Sequence, residues 1–203
     1  MNSFWQNFCD QLPYSLNFVF LPNNSYLNTL QMRKLPFLFT LVLLIIAMSF
    51  TTADSKRTLP SVNIKTLNGK VFNTKNITND TNAIIISFWA TWCKPCVQEL
   101  NSISEVYEEW QEETGVKLVA ISIDNSRTSI KVKPLVNGQE WDYEVYLDEN
   151  GDFKRAMGVN MVPHTFILNG KGEIVWQHTT FSEGGELEMI DIIRKIKNGE
   201  EIK

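Results

Sequence analysis

Cys93 and Cys96 stand two residues apart in the run Trp92-Cys93-Lys94-Pro95-Cys96. Such a pair can exchange a disulfide if it sits where a strand gives way to a helix. The first thiol then lies beside the unpaired N–H groups and positive end of the helix dipole, which favours its thiolate. The thiolate is the attacking species, and the second thiol, further into the first turn, can resolve the mixed disulfide that results. Pro95 suits this placement because a first-turn N–H has no helical partner to lose. Two blander chemistries compete. A zinc site would need further ligands, and His164 and His178 are not at finger spacing. An inert staple would close so short a loop that the chain-entropy model gives only about 2 kcal/mol.

The apolar residues around the pair predict the elements that hold it. From Ala83 to Ala90, Ile84, Ile85, Ile86, Phe88 and Trp89 form the short apolar run of a buried strand. From Pro95 to Glu113, Val97, Leu100, Ile103, Val106, Tyr107 and Trp110 recur at helical spacing, and Gly115 lies where a helix stop belongs. The pair thus falls between strand and helix. Upstream, Pro60 to Ile77 alternates around Asn68-Gly69 as a hairpin does. Downstream, the pattern predicts a strand over Val116–Ile123, a short helix over Arg127–Asn137 despite Pro134, and a strand over Glu144–Leu147 ended by an Asn150-Gly151 turn. A hairpin joins Thr165–Asn169 to Glu173–Gln177, and a closing helix over Glu186–Lys197 carries Leu187, Ile190, Ile193 and Ile196 on one stripe. A β-α-β half followed by a β-β-α half implies an α/β fold with one central mixed sheet covered by helices.

The 203 residues carry 19 basic and 23 acidic side chains, with no Lys/Arg run that would make a nucleic-acid footprint. Met32-Arg33-Lys34, then the apolar Leu35 to Phe50, then Thr51-Thr52-Ala53 have the layout of an export signal. The expected division is 32–53 as a signal peptide cleaved after Ala53, or as a membrane anchor built on 35–53, and 54–203 as the folded domain. In either case Arg33 and Lys34 keep the N-terminus inside and send that domain across the membrane. Residues 1–31 fit neither role and are expected to be a non-native or disordered extension, with translation starting at Met32.

The run Phe88-Trp89-Ala90-Thr91-Trp92-Cys93-Lys94-Pro95-Cys96 resembles the active-site segment of thioredoxin-like proteins. Cys96-Val97-Gln98-Glu99 resembles the TlpA/ResA branch of exported thiol–disulfide oxidoreductases. A second match, Gly158-Val159-Asn160-Met161-Val162-Pro163-His164-Thr165-Phe166-Ile167-Leu168, resembles that family's cis-proline loop and strand, so the resemblance spans nearly all of 59–203. It implies a thioredoxin-like fold, a central mixed β-sheet flanked by helices, with the first hairpin as an N-terminal extension. It implies that Cys93 and Cys96 form the redox pair, that Pro163 follows a cis bond and packs against them, and that Val162 presents backbone groups to an extended substrate. Trp92 would cover one side of the site. Thioredoxins carry a buried Asp where this chain has Ser87, and the branch's Glu99 is expected to be the proton acceptor for Cys96, partly buried and with a raised pKa. His164 is expected either to tune the pair and touch substrate or to point away on its strand.

The expected protein is a reductase in the periplasm or on the outer face of the cytoplasmic membrane, with no cofactor or bound metal, and its single open catalytic surface suggests a monomer. Its substrates would be protein disulfides, apocytochrome c among them, and its electrons would come from a membrane thiol donor. The Lys-Pro pair lacks the His of strongly oxidising relatives. Alternatives are a peroxiredoxin-like peroxidase, although no Thr/Ser-x-x-Cys precedes either cysteine of the pair, a copper-handling protein, and a protein-binding module.

Overall fold

The fold was taken from a computed structural model that describes residues 56–200 and 202. The expectations for 1–31 and for 32–53 lie outside the described residues. No helix among the described residues is long and apolar enough to cross a membrane.

The alternation after Pro60 produces β1 (Asn63–Thr66) and β2 (Val71–Asn73), paired antiparallel across a turn in which Gly69 takes φ 77°. This left-handed conformation is open to glycine because it has no Cβ. The apolar run after Asn82 becomes β3 (Ile84–Trp89), buried at every position. It leads into α1 (Lys94–Thr114), which ends at Gly115 in the left-handed conformation, its N–H bonded to the Gln111 carbonyl. Then follow β4 (Lys117–Ser122), α2 (Val132–Gly138), β5 (Glu144–Leu147), α3 (Asp152–Ala156), β6 (His164–Leu168), β7 (Ile174–Thr179) and α4 (Gly185–Lys197).

The strands form one seven-stranded mixed sheet in the order β2-β1-β5-β4-β3-β6-β7. β3, β4 and β5 run parallel, whereas β6, β7 and the β1–β2 hairpin join antiparallel. The hairpin expected as an extension is therefore part of the main sheet, through β1 against β5. Alternation along β3 separates two apolar layers. Ile85 and Trp89 pack with Leu100 and Ile103 of α1, Val132 and Val136 of α2, and Met189 and Ile193 of α4. Ile84, Ile86 and Phe88 pack on the other face with Phe153 of α3 and Phe166. Truncating a side chain such as Leu100, which has no exposed surface, to Ala costs about 2–5 kcal/mol.

Three segments depart from the sequence reading. The helix expected over Arg127–Asn137 is a 3-10 turn at Ser129–Lys131 followed by α2. Pro134 has no N–H to bond one turn back, so it fits only in the first turn of a helix that starts afresh at Val132. After the Asn150-Gly151 turn the chain forms the short helix α3, because the Asp148 carboxylate accepts the N–H groups of Phe153 and Lys154. In α4 the buried residues are Met189, Ile190, Ile192 and Ile193, while Leu187 is 66% exposed. At 100° per residue the buried direction centres near Met189 and Ile193, and Leu187 lies roughly 140° round from it.

Candidate active site

β3 delivers the chain to a tight turn in which the Cys93 N–H bonds to the Ala90 carbonyl, 3.0 Å away. Cys93 is the N-cap of α1, and Cys96 donates its N–H to the Cys93 carbonyl at 3.1 Å within the first turn. The two sulfurs are joined in a disulfide with Cα atoms 5.3 Å apart. Both residues are buried, Cys96 more deeply at 1% exposure against 6% for Cys93. Attack from outside therefore reaches Cys93 first.

The loop before β6 closes over the pair. Val162-Pro163 is a cis peptide, and the Val162 carbonyl oxygen lies 3.8 Å from Cys93 Sγ. Trp92 and Met161, neighbours of Cys93 and Val162, are 63% and 60% exposed. They give the rim of the site an apolar surface that a protein partner can cover.

The turn is held from below by Asp124, which has no exposed surface. Its carboxylate accepts the Thr91 N–H at 2.8 Å, the Thr91 hydroxyl at 2.7 Å and the Ser122 hydroxyl at 2.9 Å. Neither Asp124 nor Thr91 stands out in the sequence, because a loop Asp is ordinarily a solvated residue.

Glu99 is 2% exposed, more deeply buried than expected. It is three residues after Cys96 on α1, a spacing that puts the two side chains on one face, with Cβ atoms roughly 5–6 Å apart. Thr165 donates its hydroxyl to Glu99 Oε1 at 2.5 Å, and Ser87 Oγ lies 3.5 Å from that same oxygen. His178 Nε2 lies 3.1 Å from Oε2. Register explains the grouping: Ser87 is opposite Thr165, and Thr165 is opposite His178, so three strands present a polar row beneath α1.

His164 does not join this group. It shares a sheet face with Phe166, on which its ring stacks at 4.3 Å, away from the face that carries Thr165. Burial holds its imidazole below the ordinary value, and the Gln177 side chain opposes that shift only in part. The residue that sequence reasoning overlooked is His178, considered there only as a zinc ligand.

The fold and the site define a thioredoxin-like thiol–disulfide oxidoreductase. The chain belongs to the AhpC/TSA family, whose model matches residues 56–177. It is 30% identical over 159 residues to the thiol-disulfide oxidoreductase ResA of Bacillus anthracis, covering 72% of this chain and 89% of that relative. It is 27% identical over 147 residues to sporulation thiol-disulfide oxidoreductase A of Bacillus subtilis, covering 70% and 87%. Among solved structures, an uncharacterized thioredoxin-like protein from Porphyromonas gingivalis is 51% identical, with a TM-score of 0.63 over 69% of this chain and 92% of that one.

Proposed function

We propose that the chain reduces disulfides in proteins outside a cytoplasmic membrane, with Cys93 as attacking thiol and Cys96 as resolving thiol. The observation that carries this reading is the buried carboxylate of Glu99 on the same helix face as Cys96. In the reduced enzyme the Cys93 thiolate attacks a substrate disulfide, forming a mixed disulfide and releasing one substrate thiolate. Cys96 must then lose a proton. Glu99 accepts it, and the Cys96 thiolate attacks Cys93 Sγ, so that the Cys93–substrate bond breaks and the second substrate thiolate leaves. The enzyme dithiol is oxidised to the disulfide and the substrate disulfide is reduced to two thiols.

Val162 offers its backbone to an extended substrate segment beside Cys93, and Trp92 and Met161 supply apolar contact. Pro163 packs the loop against the pair. Export rests on the signal-like stretch 32–53, and electrons then come from a membrane thiol donor. Apocytochrome c is a candidate client, because its paired cysteines must be reduced for haem attachment.

Equilibration of the full chain with glutathione and dithiothreitol buffers tests the direction. A reduction potential near or below about −250 mV supports a reductase. A value near about −120 mV makes it a disulfide donor instead.

A further inference from the structure

We infer that His178 is a positioning residue through which Glu99 exchanges its proton with solvent. This deepens the proposal that Glu99 takes the Cys96 proton, and it rests on that reading.

A proton placed on Glu99 has few ways out. The carboxylate is 2% exposed, and Ser87 and Thr165, which flank Oε1, are 1% and 0% exposed. The other oxygen, Oε2, faces His178, whose side chain is 21% exposed. Of these four residues His178 alone has substantial contact with water. It lines a narrow cleft together with Glu99, Phe181, Ser182, Glu186 and Met189, so the carboxylate and the imidazole share one opening between β7 and the start of α4.

The imidazole is held in place. Its ring meets Trp176 edge-on at 4.8 Å, and its backbone position is set opposite Thr165 in the β6–β7 ladder. The titratable groups around it are Glu99 from α1, Glu186 from α4 and His164 from β6, the last on the other face of the sheet. An imidazole can take a proton at one nitrogen and release another from the second, which a hydroxyl or amide in this position does less readily.

The step conserves protons. Cys96 gives its thiol proton to Glu99 as its thiolate attacks Cys93 Sγ. Glu99 passes that proton from Oε2 to the unprotonated Nε2 of His178, His178 releases one from Nδ1 to water, and exchange with water returns the imidazole to its starting tautomer before the next turnover. Glu99 is thereby a carboxylate again before the next reduction of the pair.

The test uses the full chain in detergent, with Cys9→Ser so that only the pair reports, reduced and mixed rapidly with the aromatic disulfide dithiobis(nitrobenzoate). The first coloured thiolate released reports attack by Cys93, and the second reports resolution by Cys96. Glu99→Gln is expected to slow the second release by roughly 10²-fold, and His178→Gln by about tenfold or more, with the first release unchanged in both. His178→Gln is also expected to alter the pH profile of the second release, because the amide keeps a donor near Glu99 but cannot carry a proton. His178→Asn gives the same reading should the glutamine variant fail to fold. A second release in His178→Gln that keeps the wild-type rate, or slows while keeping the wild-type pH profile, overturns the relay and leaves Glu99 as acceptor if Glu99→Gln is slow. If Glu99→Gln itself matches wild type, the acceptor reading fails, and the relay with it.

Discussion

Asp124 fixes the backbone of Thr91, two residues before Cys93, by accepting both its N–H at 2.8 Å and its hydroxyl at 2.7 Å. The carboxylate is buried and also accepts from Ser122, so one side chain ties the end of β4 to the turn that aims Cys93. Asp124→Ala leaves the Thr91 N–H without its partner, and a buried donor in that state costs about 1–3 kcal/mol. The variant is expected to lose at least that much stability in denaturant unfolding and to react more slowly at Cys93, where a solvated surface Asp would show neither effect.

The proposed exchange gives the two cysteines separable roles, with Cys93 the less buried of the pair. Cys93→Ser is expected to abolish exchange with a protein disulfide. Cys96→Ser keeps the attacking thiol and lacks the resolving one, so mixed disulfides with substrate accumulate and run as larger species on non-reducing gels. If Cys96→Ser turns over like wild type, a resolving role for Cys96 is wrong.

His164 makes stability depend on pH. Burial lowers its pKa in the folded chain below the unfolded value of about 6.5. The unfolded state therefore binds the proton more readily. The stabilisation is present above the unfolded value and is lost as pH falls from there through the folded value. His164→Phe keeps an aromatic ring to stack on Phe166 and removes the titration. Its melting temperature is expected to fall less than that of wild type between pH 7 and pH 5, and identical slopes would refute the assignment.

Gly170, in the β6–β7 turn, lies against the backbone of Thr81, and a Cβ there would overlap the Thr81 carbonyl. Neither backbone can move without disturbing the entry to β3 or the hairpin that carries His178. Gly170→Ala is expected to destabilise by about 1–3 kcal/mol, the usual range for overpacking. Thermal unfolding at neutral pH measures it, and a melting temperature equal to wild type would mean that the turn can shift freely.

Much of the fold is legible from local pattern. β3 is a nearly continuous run of Ile, Phe and Trp whose short length and β-branched and aromatic content mark a buried strand before a helix of 3.6 periodicity, and their junction falls at Cys93. β5 spans Glu144–Leu147, the bounds read from the short strand pattern before the Asn150-Gly151 turn. Glu99 was marked by its place after Cys96, although sequence could not show how deeply it is buried. Leu187 was misread because an apolar residue at the right spacing from Ile190 also fits the flank of a stripe, and only packing selects the centre.

By itself the sequence determined the chemistry and its frame: two thiols at a strand-to-helix junction, a second loop to close over them, and a carboxylate on the same helix face as Cys96. The partners of that carboxylate were decided by tertiary structure alone. A regular hairpin continued from Leu168 opposite Ile174 would set Thr165 against Gln177. One extra residue, Val175, enters between Leu168–Ile174 and Ile167–Trp176, so Thr165 instead faces His178. Because side chains alternate between faces, a shift of one residue turns Gln177 toward His164 and brings His178 under Glu99. Residue types and their spacing carry no trace of that bulge, since it arises from how two strands settle against each other and against α1.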